Sequence, residues 1–401
     1  MNGKKKLIRI TTVPIALAYP LRGQPSYMQA NGFDVLMISA DGKELPQLLQ
    51  QERCRHIIVP MTRSITPFRD MICIVKLIRI FKKERADIVH TETPKAGLLG
   101  MIAARFCGVK IRVHTVAGMP LMVEKGAKLR LLQSIEKLTY AAATNVWPNG
   151  PSLESFIIHN RFSPASKLHV IGAGSSNGVD TERFNRENIS ETVLADAKNS
   201  VQYNEGNTYL LFMGRFVKDK GLTELVNVFT ALLTERPSLR LILAGDYEPH
   251  LDPLPADTHD KIHNNQNIIH IPWTDHVEYY MAFSDYFVFP SYREGFPNVL
   301  LEAAAMELPI VCSRITGNVD IITNNETGLI FESENETDLK EKLLTALNNP
   351  GRMSDMAEKL RQHIINVYSR ENFWESMKLE YNRLWEQQEK AANNEGNPKQ
   401  Y

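Results

Sequence analysis

Two glutamates eight residues apart, Glu294 and Glu302, stand in the segment Arg293-Glu294-Gly295-Phe296-Pro297-Asn298-Val299-Leu300-Leu301-Glu302-Ala303-Ala304-Ala305-Met306. The Gly-Phe-Pro turn precedes an apolar, alanine-rich helix start, and Pro297 falls near the first helical turn, where its missing N–H costs little. Free N–H groups at a helix start favour an anion such as a phosphate. Glu302 lies roughly two turns on, near the face that carries Asn298. The spacing describes a phosphate at the helix start and a polyhydroxylated group at each carboxylate. It fits equally well a surface Glu before a turn and a helical Glu beyond it.

A second element follows an apolar run at 211–213: Gly214-Arg215, then Lys218-Asp219-Lys220-Gly221 opening a helix. Arg offers a planar fork to phosphate oxygens and Lys a point charge. At the C-terminal end of a strand both point into the crevice where α/β sheets bind ligands. Alone, this is also a charged surface loop; with the glutamate pair it suggests one diphosphate site. No Asp-x-Asp pair occurs, so nothing marks a Mg²⁺ or Mn²⁺ clamp. Arg215, Lys220 and the helix start would have to neutralise a leaving group without metal. The chain has no P-loop, no G-x-G-x-x-G and no G-x-S-x-G nucleophile elbow. His90 and His114 end predicted strands, placed either for a crevice or as packed imidazoles. Glu92 and Lys95 flank a helix start, where they touch a substrate or cap the helix.

Positioning these groups requires strands that end in one crevice. Short β-branched runs alternate with helical patterns, the signature of α/β folds with parallel sheets. Strands are expected at 7–13, 34–39, 56–59, 87–90, 111–115, 145–147 and 167–171, then at 209–213, 239–244, 268–271, 286–289, 310–312 and 328–331. Helices are expected at 67–85, 94–107, 128–143 and 152–159, then 222–235, 276–282, 298–306, 338–347, 353–367 and 371–388. A Gly/Ser/Asn-rich segment at 172–180 and a hydrophilic stretch to 208 divide the halves. Two α/β domains joined there make the cleft between them the expected ligand site.

The 401 residues carry 46 basic and 46 acidic side chains, with 43% hydrophobic residues, ordinary for a soluble globular chain. The charge is unevenly spread: residues 1–120 hold 19 Lys and Arg against 8 Asp and Glu, an excess of 11 that the remainder offsets. Arg63–Arg85 is the densest stretch, with Arg63, Arg69, Lys76, Arg79, Lys82, Lys83 and Arg85 interleaved with apolar residues. It reads as a basic amphipathic helix for an anionic membrane, or as a core-facing helix with a solvated basic face. No motif that reads nucleic acid accompanies the basic bias. Four scattered cysteines suggest neither disulfides nor zinc. No apolar run reaches transmembrane length, and Arg9, Thr11, Thr12 and Pro14 interrupt the would-be core of a signal peptide.

Taken together, Gly214-Arg215, Lys220-Gly221, Ser291 through Asn298, Glu302, Pro309-Ile310-Val311 and Thr327-Gly328-Leu329 resemble the retaining glycosyltransferases of family 4, over nearly the whole chain. Lys95 through Gly100 and Ser175 through Phe184 resemble the branch that builds bacterial surface polysaccharides. The resemblance implies a GT-B fold: two Rossmann-like α/β domains facing across a cleft. Residues 1–185 would be the acceptor-binding domain and 186–369 the donor-binding domain. A helix near 370–390 would cross back to the first domain, before a polar tail at 390–401. Arg215 and Lys220 would hold the donor diphosphate and Glu302 the ribose. Glu294, with Gly295, Phe296, Pro297 and Asn298, would hold the sugar and distal phosphate. Arg22, Gly23, Glu92 and Lys95 would lie on the acceptor side. Many relatives carry a His two residues after the position of Thr115; here Ala117 stands there, leaving His114 as the candidate catalytic imidazole beside Glu294.

The implied activity is metal-independent transfer of a hexosyl or N-acetylhexosaminyl group from a nucleotide-sugar, UDP by family habit, with no cofactor. The implied acceptor is a polyprenyl-diphosphate saccharide, which would place the protein in the cytoplasm, peripheral on the inner face of an anionic membrane. The alternatives are a GT-B sugar-nucleotide epimerase, which needs acid/base groups for nucleotide elimination, and a catalytically silent binding protein of a glycan-assembly complex.

Overall fold

The β-branched runs of the first half form β1 (Lys5–Ile10), β2 (Phe33–Ser39), β3 (Arg55–Ile58), β4 (Ile88–Thr91), β5 (Ile111–Val116) and β6 (Asn145–Pro148). Those of the second half form β7 (Thr208–Met213), β8 (Leu239–Ala244), β9 (Ile268–Ile271), β10 (Tyr286–Phe289), β11 (Ile310–Ser313) and β12 (Leu329–Phe331). The computed structural model describes residues 4–248 and 252–395. The strands make two six-stranded parallel sheets, ordered β3-β2-β1-β4-β5-β6 and β12-β11-β10-β7-β8-β9. β4 and β10 are buried along their whole length, as strands covered on both faces must be.

The chain divides into two units: the part up to Gly178 with the segment from Glu371 onward, and Val179–Arg370. The first boundary precedes the expected residue 185 because Val179 is tied into the second unit. Its N–H donates to the Tyr368 carbonyl at 2.8 Å, and its carbonyl accepts from Arg370 N–H at 2.9 Å.

In the first unit, alternation along β1 sends Ile8 and Ile10 to a core shared with Leu77, Phe81, Leu99 and Met101, under the helices Pro67–Glu84 and Pro94–Phe106. Leu7 faces the other way, to Val35, Ile88, Trp147 and the final helix's Phe373, Met377 and Tyr381. The final helix thus belongs to the first unit. It runs over Arg370–Glu395, so the polar tail expected from residue 390 is helical to 395; residues 396–401 lie outside the described residues.

Residues 167–171 do not form the expected strand. A 3₁₀ turn at Ala165–Lys167 delivers the chain beside β6 for one bridge, Val146 to Leu168, and Gly172 then turns it away at φ +57°. The hydrophilic stretch before 208 contains a helix, Glu191–Ser200, expected only as linker. All four cysteines are free. Among the described residues no helix is long and apolar enough to cross a membrane, and no group of three or more His, Cys, Asp or Glu is placed to hold a metal ion.

Candidate active site

Each sheet contains one point where its strand order reverses. In the second unit the chain winds outward through β7, β8 and β9, then returns to the other side of β7 for β10, β11 and β12. The segments after β7 and β10 therefore meet, which is where parallel α/β sheets bind ligands.

These two segments pair residue by residue. The Tyr292 N–H donates to the Asp219 carbonyl at 2.9 Å. Arg293 Nη2 meets Asp219 Oδ2 at 2.6 Å, and Lys220 forms an ion pair with Glu294. The dipeptides Asp219-Lys220 and Arg293-Glu294 are thus matched charge to charge. Tyr292 OH donates to Glu224 Oε1 at 2.7 Å, in the first turn of the helix Leu222–Leu232. Burial and that carboxylate push the Tyr292 hydroxyl far up, so it remains a donor. Gly221, at φ +69°, permits the approach, because a Cβ there would overlap the Pro290 carbonyl oxygen. Gly317 similarly lets the loop after β11 reach the Gly-Phe-Pro turn, its would-be Cβ lying 2.7 Å from the Gly295 carbonyl oxygen.

Pro297 caps the helix Asn298–Ala305, with Phe296 buried beneath the turn. Glu302, on this helix, is half-buried and makes no ion pair within 4.0 Å among the described residues. Desolvation pushes its carboxyl up to about 7, opposed by Arg183 and Arg370. Arg183 is itself engaged by Glu278 at 2.7 Å. Arg215, expected on the diphosphate, pairs with Glu248 at 2.8 Å on a largely exposed surface. The second unit thus brings together Lys220, Glu294 and the 295–298 turn, while Arg215 is turned to a neighbouring carboxylate.

In the first unit the reversal lies between β1 and β4. Thr12 and Thr93 join the two following loops, Thr12 N–H donating to Thr93 Oγ1 at 2.9 Å. Arg22 and Gly23, expected in the loop after β1, lie beyond the short helix Ile15–Ala18, in the turn that opens the helix Gln24–Ala30. Glu92 and Lys95, expected on the acceptor side, are satisfied internally. Glu92 is 6% exposed and ion-paired with the fully buried Arg9, while Lys95 meets Asp70 Oδ1 at 2.7 Å. A buried carboxylate needs such a partner, and here β1 supplies it.

His114, expected as the catalytic imidazole, is buried inside the first unit. It is 3% exposed, its Nδ1 lies 2.8 Å from Thr91 Oγ1, and its ring sits beneath Gly97, where a Cβ would overlap it. Burial pushes its pKa down to about 4. It is a packed strand-end imidazole. His90 is likewise buried, between Thr115 Oγ1 at 2.6 Å and the Tyr381 hydroxyl.

Sequence reasoning missed Asp219, Arg293, Tyr292 and Glu224. The signal for the first two was present: the alternation Lys-Asp-Lys set against Arg-Glu is a complementary pair of charge strings.

Two six-stranded parallel sheets, each in its own α/β unit, are the architecture of the GT-B glycosyltransferases. The chain belongs to the glycosyl transferases of group 1, whose family description matches residues 195–363, with a glycosyl transferase 4-like domain at 22–174. It is 32% identical over 386 residues to the capsular polysaccharide biosynthesis glycosyltransferase CapM of Staphylococcus aureus, covering 96% of this chain and 99% of that protein. It is 26% identical to the Escherichia coli UDP-Gal:alpha-D-GlcNAc-diphosphoundecaprenol alpha-1,3-galactosyltransferase, over 84% of this chain and 86% of that one. Among solved structures, a glycosyltransferase from Rickettsia africae superposes with a TM-score of 0.80 at 20% identity, covering 96% of this chain and 99% of the other. Anabaena HepE in complex with UDP gives 0.77 at 14% identity, covering 94% and 100%.

Proposed function

We propose that this glycosyltransferase moves a hexosyl or N-acetylhexosaminyl group from a UDP-sugar to a polyprenyl-diphosphate-linked saccharide in bacterial surface-polysaccharide synthesis. The observation that carries the reading is the pairing of Lys220 with Glu294 at the strand reversal of the second unit. Lys220, joined by Arg215, neutralises the departing diphosphate; Glu294 receives hydroxyl groups of the transferred sugar; Glu302 receives the ribose hydroxyls. Lys220 and Arg215, once released from Glu294 and Glu248, would supply the charge stabilisation a leaving diphosphate needs, so the reaction is read as metal-independent and free of cofactor. No side chain is placed as a nucleophile. Retention at the sugar carbon is taken from the resemblance to the retaining glycosyltransferases of family 4; without a protein nucleophile it has the acceptor hydroxyl attack on the face from which the diphosphate departs, passing its proton to a diphosphate oxygen.

The relatives support the acceptor class: the E. coli enzyme acts on a diphosphoundecaprenol-linked sugar, and a Campylobacter jejuni relative, 24% identical over 82% of this chain, is an N,N'-diacetylbacillosaminyl-diphospho-undecaprenol alpha-1,3-N-acetylgalactosaminyltransferase. A lipid-linked acceptor requires the first unit to reach a membrane surface. The helix Pro67–Glu84 suits it: Phe68, Met71 and Ile72 are 90%, 62% and 55% exposed beside exposed Arg69, Lys76 and Arg79. A solvated basic face alone would have left its apolar residues inside; here only Cys73, Leu77 and Phe81 are fully buried. Exposed apolar anchors among cations fit the cytoplasmic leaflet of an anionic membrane.

The test is nucleotide release from a panel of UDP- and GDP-sugars, with and without polyprenyl-diphosphate-linked sugars. Acceptor-dependent release of UDP with a glycosylated lipid product is the expected result. Release without transferred sugar favours an epimerase or hydrolase. Binding of nucleotide with no release across the panel favours a silent binding protein.

A further inference from the structure

The peptide that joins Arg22 to Gly23 is held at both ends by buried side chains of the first unit. Its carbonyl accepts from Asn177 Nδ2 at 3.0 Å, and its N–H donates to Glu52 Oε1 at 2.6 Å. Asn177 and Glu52 are each 1% exposed. Both are further tied down. Asn177 Oδ1 accepts from Gln24 Nε2 at 3.1 Å and from Trp374 Nε1 at 2.6 Å. Glu52 Oε2 accepts from the Ser26 N–H at 3.0 Å and its hydroxyl at 2.7 Å, in the helix Gln24–Ala30. Gly23 itself, at φ +85°, sits so close under Trp374 that a Cβ would come within 2.6 Å of the indole. No other residue fits there.

A buried carboxylate and carboxamide persist only when hydrogen-bonded, and this arrangement closes their bonds on the Arg22–Gly23 peptide and on the start of the helix Gln24–Ala30. Its effect is to fix the backbone from which the Arg22 side chain departs. That side chain is half-buried, lies in the turn between the short helix Ile15–Ala18 and the helix Gln24–Ala30, and takes part in none of the ion pairs of the described residues. A guanidinium on a fixed backbone loses less freedom on gripping a phosphate in a bidentate fork.

We propose that Asn177 and Glu52 are positioning residues that pre-set Arg22 to hold the diphosphate of the lipid-linked acceptor. The inference rests on the reading of the first unit as the acceptor-binding unit.

The test uses the full-length enzyme with the donor and lipid-linked acceptor selected by the nucleotide-release panel. Asn177→Asp is nearly isosteric. It keeps the oxygen that serves Gln24 and Trp374 and replaces the donor to the Arg22 carbonyl by a second oxygen. The acceptor KM should rise about tenfold or more, with kcat, donor KM and UDP affinity changed less than about twofold. Arg22→Ala should raise the acceptor KM as well, and adding Asn177→Asp to it should produce no further rise, because the Asn acts through the Arg. A purely structural Asn177 would give additive effects and a shift in every kinetic constant. Should Asn177→Asp fail to fold, Glu52→Gln is read in the same way. An unchanged acceptor KM in Asn177→Asp, or additivity with Arg22→Ala, overturns the proposal alone. An unchanged acceptor KM in Arg22→Ala overturns both the proposal and the reading of this loop as an acceptor contact.

Discussion

Lys220 and Glu294 neutralise each other between the segments that follow β7 and β10, each with less than a fifth of its side chain exposed. In the proposed reaction each has a different ligand, the diphosphate for Lys220 and the sugar for Glu294, so donor binding must break their pair. Glu294→Gln frees Lys220 at no loss to the diphosphate. UDP should then bind about two- to fivefold tighter, the worth of a partly exposed ion pair. Sugar transfer should fall about 10- to 100-fold, since a charge-assisted hydrogen bond to the sugar is lost. Calorimetric titration with UDP and a transfer assay check the opposite signs. Weaker UDP binding together with intact transfer would remove Glu294 from the site.

Glu302, in its proposed role at the ribose, should give UDP binding a pH dependence. Its carboxyl is pushed up to about 7 by desolvation, so it is substantially protonated below neutrality in the free protein. An acid whose folded pKa lies above its unfolded one lends stability that is complete below the unfolded value and is lost as pH rises through the folded value. The window is therefore from about 4.5 to 7, and the loss is on the order of 1–3 kcal/mol for a half-buried side chain. Ligand binding runs the other way, because ribose hydroxyls donate best to the ionised form. UDP affinity should strengthen from pH 6 to 8 in the wild type and stay flat in Glu302→Gln. Across the same range the variant's melting temperature should gain on that of the wild type.

Gly221→Ala tests whether the two loops must touch. The new methyl meets the Pro290 carbonyl, and the residue keeps a left-handed conformation at φ +69°. The conformational penalty is about 1 kcal/mol, and the overlap has backbone on its other side, which cannot swing away. A total loss of about 2–3 kcal/mol of stability is expected, with UDP affinity reduced tenfold or more because Lys220 is carried away from the 295–298 turn with which it would share the diphosphate. Thermal unfolding and UDP titration on the same preparation measure both effects.

The strands were legible because parallel-sheet strands are nearly continuous apolar runs, as β10 with Tyr-Phe-Val-Phe shows. Residues 167–171 misled because one bridge and a buried Ile171 mimic the same run. The short helix Gln24–Ala30 escaped notice because its start is fixed from outside by Glu52, a partner 26 residues from Ser26. In the site, Glu294, Glu302 and Lys220 could be named from local spacing, but their partners could not. Asp219 finds Arg293 only through the reversal of strand order. The same holds for Glu92 and Lys95, whose charges looked free for a substrate until Arg9 and Asp70 were brought to them.

The helix Pro67–Glu84 should bind membranes through residues that contribute nothing to the core. Phe68 is 90% and Ile72 55% exposed, so Phe68→Asp with Ile72→Asp should change stability by no more than about 0.5 kcal/mol per site. Partitioning onto anionic vesicles should nevertheless fall about tenfold or more, since two buried apolar anchors become charges. Wild-type binding should also weaken with salt, at about 1 kcal/mol per basic residue near the surface. Vesicle co-sedimentation at two ionic strengths decides the matter, and unchanged partitioning of the double variant would move the membrane contact elsewhere.

His114 should prove dispensable for chemistry and not for folding. Its imidazole is walled in by Gly97 and Tyr140, accessible to almost no solvent, and neutral above about pH 4. Because its folded pKa lies below the unfolded value of 6.5, its contribution to stability is complete above pH 6.5 and is lost as pH falls from there towards 4. His114→Gln should cost about 1–2 kcal/mol from the lost Thr91 contact and disturbed packing, and should remove part of that acid sensitivity. Transfer by the folded variant should remain within about fivefold of the wild type, with no imidazole limb near pH 6.5 in the rate profile of either. A folded His114→Gln that loses a thousandfold in kcat would return the residue to the catalytic machinery. It would require the helix at Gly97 to lift from the imidazole during turnover.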